Sequence, residues 1–316
     1  MSKPVIGFKE FSGWKNCISM SNGTAELIVT TDVGPRIIYY GFNGGPNHLK
    51  IFKDQAGQND GEEWLSYGGH RLWHSPEEMP RTYEKENKPC GWEIEEDGIL
   101  LHNDPDPVSQ MEKDIHIKMD PEGTGVSIDH RITNRNAWPV SFSVWALTVM
   151  TTGGRLVIPQ NTTGPVYLPN RNISFWTYTR LNDPRVTWLD RYIFLDQDIN
   201  AEYTSEPENR RFGKIPFKIG MHVSDGWVGY VNHDQIFLKY FDCDTTAEYP
   251  DFGHCSFETY TNRDILEIET LSPLRTVAPG GYSDHSERWA LADNIRKPQT
   301  DDEADSMVTS IAKAMR

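Results

Sequence analysis

The sequence has few cysteines and no cysteine pairs: the four it contains, Cys17, Cys90, Cys243 and Cys255, lie far apart with no C-x-x-C spacing. That argues against a zinc knuckle, and they read as reduced, buried thiols. It also has no Lys/Arg-rich stripe. With 31 basic against 46 acidic residues the net charge is −15, so neither nucleic acid nor an anionic membrane surface is an expected partner. An anionic substrate has to be drawn in by local arginines against this field. No apolar run approaches a membrane span, and the opening "MSKPVIGFKEF" has no stretch of signal-peptide length, so the expected location is the cytoplasm. There is no G-x-G-x-x-G or G-K-S/T loop and no alternation of strands with helices, which disfavours nucleotide-binding folds. No fixed-period repeat suggests a propeller or solenoid, and no long Pro/Gly/Ser linker divides the chain.

What is present is aromatic and strand-like. The chain is 316 residues long, 37% apolar and 24% charged, enough for one large core or two ordinary domains. Ten Trp and thirteen Tyr offer large apolar faces with polar edges, a combination that suits sugar-binding surfaces as well as a core. Short segments such as "AELIVTT", "RIIYYGF", "WEIEEDGILLHN", "VSIDHRIT" and "VSFSVWALTVM" in the first half, and "RLVIPQ", "FWTYT", "FKIGMHV", "WVGYV" and "ILEIETL" in the second, are bounded by Gly, Pro, Asn and Asp. Many alternate apolar with polar residues, as half-buried antiparallel strands do. "LHNDPDPVSQ" and "YTSEPENRRFGKIP" read as surface loops. Helical periodicity is confined to "DDEADSMVTSIAKAMR", which begins with acids and ends with bases, matching the helix dipole. The expectation is all-β: about fifteen strands in one large antiparallel β-sandwich spanning residues 1–316, with a short C-terminal helix.

The segment "FETYTNRDILEIETLSPL", residues 257 to 274, reads as a hairpin around "TNRD". Matching apolar with apolar pairs Phe257 with Ile268 and Thr259 with Leu266, which sets Glu258 opposite Glu267. Glu269 follows on the same face, roughly 7 Å further along. Like charges facing each other are unfavourable, so arginines, a metal, a raised pKa or plain solvent exposure has to offset them. Arg275 and Arg263 are the nearest basic residues, and "YPDFGHCSFE" adds Tyr249, Asp251 and His254 just upstream.

"YGGHRLWHSPEE", residues 67 to 78, places His70 and His74 four apart. On a helix that is a zinc pair, but Gly68-Gly69 and Ser75-Pro76 argue for an extended segment, in which the two are roughly 13 Å apart and cannot share a metal. The remaining reading is a Gly-Gly turn that brings His70 and Arg71 to a ligand, with Trp73 as a stacking platform. Arg71 is alternatively a counter-ion for Glu77 or for a hairpin carboxylate.

Taken together, "AELIVTTDVGPRIIYYGFNGGPNHLKIF" and "LEIETLSPLRTVAPGGYSDHSERWAL" resemble the opening and the C-terminal strand of the galactose mutarotase-like, or aldose 1-epimerase-like, superfamily. "GGHRLWHSPE" and "WALTVMTTGGRLVIP" are closer to a bacterial branch of that superfamily without an assigned function. The resemblance implies an antiparallel β-supersandwich and a carbohydrate-active protein, most simply an aldose or uronate 1-epimerase acting on a monosaccharide or short oligosaccharide, with no metal or organic cofactor. It assigns the general base to Glu269 in "IET" and a site histidine to His70, with Arg71 holding a hydroxyl or carboxylate. Family members carry their general-acid histidine in a mid-chain Asn-His-x-Tyr-Phe-Asn element. The corresponding "SVWALTVMTTGGRLVIPQ" has no histidine, so His70 and His74 are the first candidates for the acid, followed by Tyr249 and His254. Substrate contacts are expected from Arg71, Trp73, His74, Glu77, Tyr249, Asp251, Glu258 and Glu267. Two other readings stay open: a non-catalytic carbohydrate-binding protein, and a lyase or hydrolase using Tyr249, His70 and Arg71.

Overall fold

Strict alternation in "MEKDIHIKM" buries every second residue of the Met111–Met119 strand, and the same pattern repeated along the chain builds two sheets facing each other. The computed structural model describes residues 3–164, 166–198 and 216–316; most of "YTSEPENRRFGKIP" lies outside them. Among the described residues, one antiparallel sheet has eleven strands and the other has ten. Their inner faces share one core, to which Leu27, Ile37, Leu72, Val144 and Ile268 come from the first sheet and Ile117, Ile128, Leu156, Phe237 and Leu291 from the second. Each such side chain, fully buried, contributes about 1.5–3 kcal/mol.

The site is positioned by five neighbouring strands of the eleven-stranded sheet, in the spatial order His70–Ser75, Val140–Met150, Leu266–Leu271, Phe257–Thr261 and Phe217–Met221. The strand count exceeds the expected fifteen because three kinds of segment escape an alternation test. The Val5–Phe11 strand of the first hairpin has no buried residue to mark an inner face. Tyr282–Asp293 carries charged residues on its open face, and His70–Ser75 is buried on both faces and so does not alternate. "FWTYT" keeps only Phe175 in a strand; Thr179 closes a turn onto the Trp176 carbonyl at 2.9 Å.

The C-terminal helix forms as expected, from Asp301–Ala304 through a π turn at Asp305–Thr309 to Ser310–Ala314. Thr300 caps it by accepting from the Glu303 amide at 3.2 Å, a bond worth about 1 kcal/mol. Its apolar stripe, Ala304, Val308 and Ala312, packs with Phe194, Trp227 and Leu238 of the ten-stranded sheet. No helix among the described residues is long and apolar enough to cross a membrane.

Between the sheets lies a polar chain. His130 Nδ1 is 2.9 Å from the His285 carbonyl, so it carries the proton and leaves Nε2 as an acceptor. His70 Nε2 therefore donates to it at 2.8 Å, and His70 Nδ1 accepts from the Thr148 hydroxyl at 2.8 Å. Glu287 binds the Lys239 ammonium at 2.7 Å and the Trp289 indole N–H at 2.8 Å. Among the described residues, His70, His130 and Glu287 are the group close enough to share a metal, with ligand atoms within 4.8 Å of one another. Their ring nitrogens are already committed to each other and the carboxylate is neutralised by Lys239, so this is a self-satisfied core network. Glu287→Ala strands the Lys239 charge, and urea denaturation is expected to show a loss of about 3–5 kcal/mol.

Candidate functional site

Strand parity sends successive side chains to opposite faces. On the strand His70–Ser75, the side chains of His70 and Leu72 enter the core between the sheets, while Arg71 and Trp73 face outward. Partnering then carries one row across five strands on the outer face: Arg71 beside Leu147, Leu147 beside Glu269, Glu269 beside Glu258, and Glu258 beside Gly220. The adjacent row runs Val149, Glu267, Tyr260, Lys218.

The hairpin register differs by two residues from the expected one. Phe257 pairs with Thr270 and Thr261 with Leu266, so Glu258 faces Glu269 and not Glu267. The reason is the turn: the Asn262 side chain accepts from the amides of Asp264 and Ile265 at 2.8 and 3.0 Å, which draws Ile265 into a four-residue loop. A shift of two preserves parity, so all three glutamates share the face, and none is exposed to bulk water.

Lys218 offsets the like charges. Its ammonium lies 2.8 Å from Glu258 Oε2 and 3.0 Å from Glu269 Oε2, and 4.7 Å from the ring centres of both Trp145 and Trp176. The Trp145 indole N–H donates to Glu269 Oε2 at 3.0 Å. Among the described residues, Glu258 Oε1 and Glu269 Oε1, both buried, receive no hydrogen-bond donor, and the Asp251 carboxyl lies against Glu258. Burial raises the Glu269 carboxyl to about 7 against the pull of Lys218, with Glu267 and Glu77 adding to the rise. Burial also holds Glu258 well above the carboxylate range, with Asp251 and Glu269 reinforcing it. A single ammonium in a dry site balances one negative charge, so the second carboxyl retains its proton at neutral pH. Gly220 makes this possible: a Cβ there would lie 2.6 Å from Cys255 Sγ and 3.2 Å from both Glu258 and Trp176.

Above this floor opens a cavity of about 280 Å³, walled by Trp145, Trp176, Tyr83 and Tyr178 with Glu77, Glu78, Asp251, Glu258 and Lys218. That is close to the roughly 300 Å³ at which small-ligand sites begin, a size for one sugar ring. Glu269 lies beneath the wall, bonded to the wall residues Lys218 and Trp145.

No protein-family model matches the chain, and no curated protein matches it. Solved structures do. A proposed aldose 1-epimerase from Klebsiella pneumoniae superposes with a TM-score of 0.58 at 10% identity, over 100% of this chain and 89% of that one. The fold is galactose mutarotase-like. A galactose mutarotase-like protein from Lactobacillus casei gives 0.56 at 8% identity, over 88% and 100% of the two chains. One from Clostridium acetobutylicum gives 0.51 at 10% identity, over 92% and 99%.

On this galactose mutarotase-like sandwich the residues singled out from the sequence part company. Glu258, Asp251 and Glu77 line the cavity, and Glu269 supports it. Arg71 is outward-facing but tied to Glu267 at 2.9 Å and stacked on Trp73 at 4.5 Å; it is the counter-ion of a hairpin carboxylate, and neither it nor Glu267 reaches the cavity wall. Trp73 packs on Trp145 and Tyr83 at 5.5 and 5.0 Å, buttressing the wall from behind. Tyr249 is buried and accepts from the Asp244 amide at 2.9 Å, away from the lining.

Two expectations need correction. His70 and His74 do not face the site; both are buried on the core side. Burial pushes His70 well below the ordinary imidazole range and His74 to about 3, so both are neutral and neither supplies a proton. The constellation of Tyr249, His70 and Arg71 required by a lyase is accordingly not assembled. The Gly-Gly turn serves the backbone and not a ligand: Gly68 and Gly69 have φ of +87° and +74°, and a Cβ on them would lie 2.0 Å from the Lys50 carbonyl and 2.2 Å from that of Ile37. Lys218 was missed altogether. Its only sequence signal is a polar position in "FKIGMHV", which reads as solvent-facing until the neighbouring strand is known.

Proposed function

We propose that this protein is a carbohydrate isomerase of the 1-epimerase type, opening and reclosing a pyranose ring. The observation that carries the reading is the single buried ammonium of Lys218 held by two carboxyls, at 2.8 and 3.0 Å, on the floor of an aromatic-walled cavity. Anomer exchange needs an acid for the ring oxygen and a base for the proton of the anomeric hydroxyl. The ring opens, the C1–C2 bond turns, and the proton transfers reverse on closure. Glu258, protonated at neutral pH and lining the cavity, is the donor. Glu269, half ionised near 7, lies just beneath the lining and is the acceptor by way of Lys218, whose ammonium bridges it to the cavity at 3.0 Å: Lys218 passes a proton to Glu269 and takes that of the anomeric hydroxyl in its place. Two carboxyls with different proton affinities supply the acid and base that a carboxylate–histidine pair supplies elsewhere. This accounts for the missing mid-chain histidine.

The test is the approach to anomeric equilibrium, followed by polarimetry with a panel of monosaccharides and catalytic amounts of protein. The expected result is exchange faster than the spontaneous rate, with an ascending limb in the pH–rate profile near 7, where Glu269 ionises. Stability moves the opposite way. Because the folded state raises the Glu269 carboxyl from its ordinary 4.5 to about 7, its contribution is fully present below about 4.5 and is lost as pH rises through 7. Exchange at the spontaneous rate for every sugar rejects the enzyme. A non-catalytic sugar-binding protein is the second reading, favoured by the absence of an imidazole among the described residues of the cavity wall. It predicts saturable sugar binding in a calorimeter without turnover.

A further inference from the structure

The charge on the cavity wall is lopsided. Four of the lining side chains are carboxyls, Glu77, Glu78, Asp251 and Glu258, and one is a cation, Lys218. That cation is spent: it is buried and bound to Glu258 and Glu269. Arg71, the arginine on the same sheet face, is held by Glu267 at 2.9 Å and lies outside the lining. A sugar phosphate or a uronate entering here would meet carboxylates with no free cation among the described lining residues to compensate its desolvation, inside a molecule already at −15.

The same wall has the chemistry that holds an ammonium. Trp145 and Trp176 already flank one, that of Lys218, at 4.7 Å each, as aromatic faces do for alkylammonium groups. Glu258, 1% exposed at its side chain, presents an Oε1 that receives no donor among the described residues. Glu77, at the solvent edge, is held in place by the Tyr83 hydroxyl.

From this we infer that the cavity selects a cationic pyranose, an amino sugar with a free protonated amine, whose ammonium is received by the carboxylates of Glu77 and Asp251 and by the carbonyl oxygen of the neutral Glu258 carboxyl. The inference deepens the proposed function and rests on the same cavity, but it concerns charge selection and not turnover. It replaces the uronate among the substrates open to an epimerase of this fold.

The experiment measures two quantities on the wild-type protein at neutral pH. One is anomeric exchange by nuclear magnetic resonance; the other is binding by calorimetry. The probes are glucosamine and galactosamine, their neutral parents glucose and galactose, N-acetylglucosamine, glucose 6-phosphate and glucuronate. A charge-assisted hydrogen bond to the ammonium predicts that the amino sugars exceed their neutral parents by about ten- to a hundred-fold in kcat/KM and in affinity. N-acetylation is expected to abolish the gain, and Glu77→Gln and Asp251→Asn each to shrink the ratio of amino to neutral sugar. The ratio is measured within one variant, so a partial folding defect does not mimic the effect. Equal or better performance by a neutral parent, the phosphate or the uronate overturns the inference while leaving the isomerase intact. An amino-sugar preference in binding without any exchange supports the inference and rejects the isomerase. Neither binding nor exchange for any probe overturns both.

Discussion

Glu269→Gln is expected to reduce catalysed anomer exchange by about 10²- to 10⁴-fold, the usual contribution of a positioned acid or base. The substitution keeps the side chain's shape and retains an acceptor for the Trp145 indole, which now lies 3.0 Å from the carboxylate. What it removes is the group that titrates near 7, so the ascending limb of the pH–rate profile should vanish with the rate. Glu258→Gln serves as the companion. If Glu258 donates and Glu269 accepts, both amides are inactive, and combining them costs little beyond either one, because the two act as a unit. If Glu258→Gln is dead while Glu269→Gln retains its rate, the cavity-lining carboxyl performs both transfers and Glu269 only sets its charge. Single-turnover exchange by nuclear magnetic resonance distinguishes these outcomes.

Lys218→Met is expected to cost as much stability as Glu287→Ala. It leaves Glu258 and Glu269, each 1% exposed at the side chain, facing each other without a cation. Removing one partner from a buried charge cluster costs about 3–5 kcal/mol. The sign of the pH dependence follows from the same cluster. Without the ammonium, both carboxyls hold their protons more tightly than in the parent, where Glu269 already lies at about 7. The deficit relative to the parent should therefore be small in acid and grow as pH rises. Urea midpoints across that range measure it. A deficit independent of pH would point to lost packing between Trp145 and Trp176, not to charge.

Much of the architecture was legible from local pattern. "VSFSVWALTVM" is the Val140–Met150 strand, and "RIIYYGF" is Arg36–Phe42. Parity alone placed Glu258, Glu267 and Glu269 on one face, even though the register was two residues out, because a shift of two leaves parity unchanged. The same rule, applied to "HRLWHS", separates His70 and His74 from Arg71: the histidines share their parity with Leu72, a core residue, and that signal was available. What no local pattern carries is the spatial order of the strands. Lys218 acquires its meaning because Phe217–Met221 lies beside Phe257–Thr261, a neighbour some forty positions downstream in the chain. A lysine in an alternating strand otherwise reads as solvated.

The floor of the cavity is strand and its rim is loop. Lys218, Glu258, Glu269 and Trp145 sit on paired strands with fixed register. Pro76 to Met79, Trp176 to Tyr178 and Asp251 come from the connections between strands. The proton-handling groups are therefore borne by strands, while the ligand-sorting groups, Glu258 apart, are borne by the connections between them. Exchanging those connections among relatives of the same sandwich could redirect it to new sugars while the chemistry underneath stays as it is.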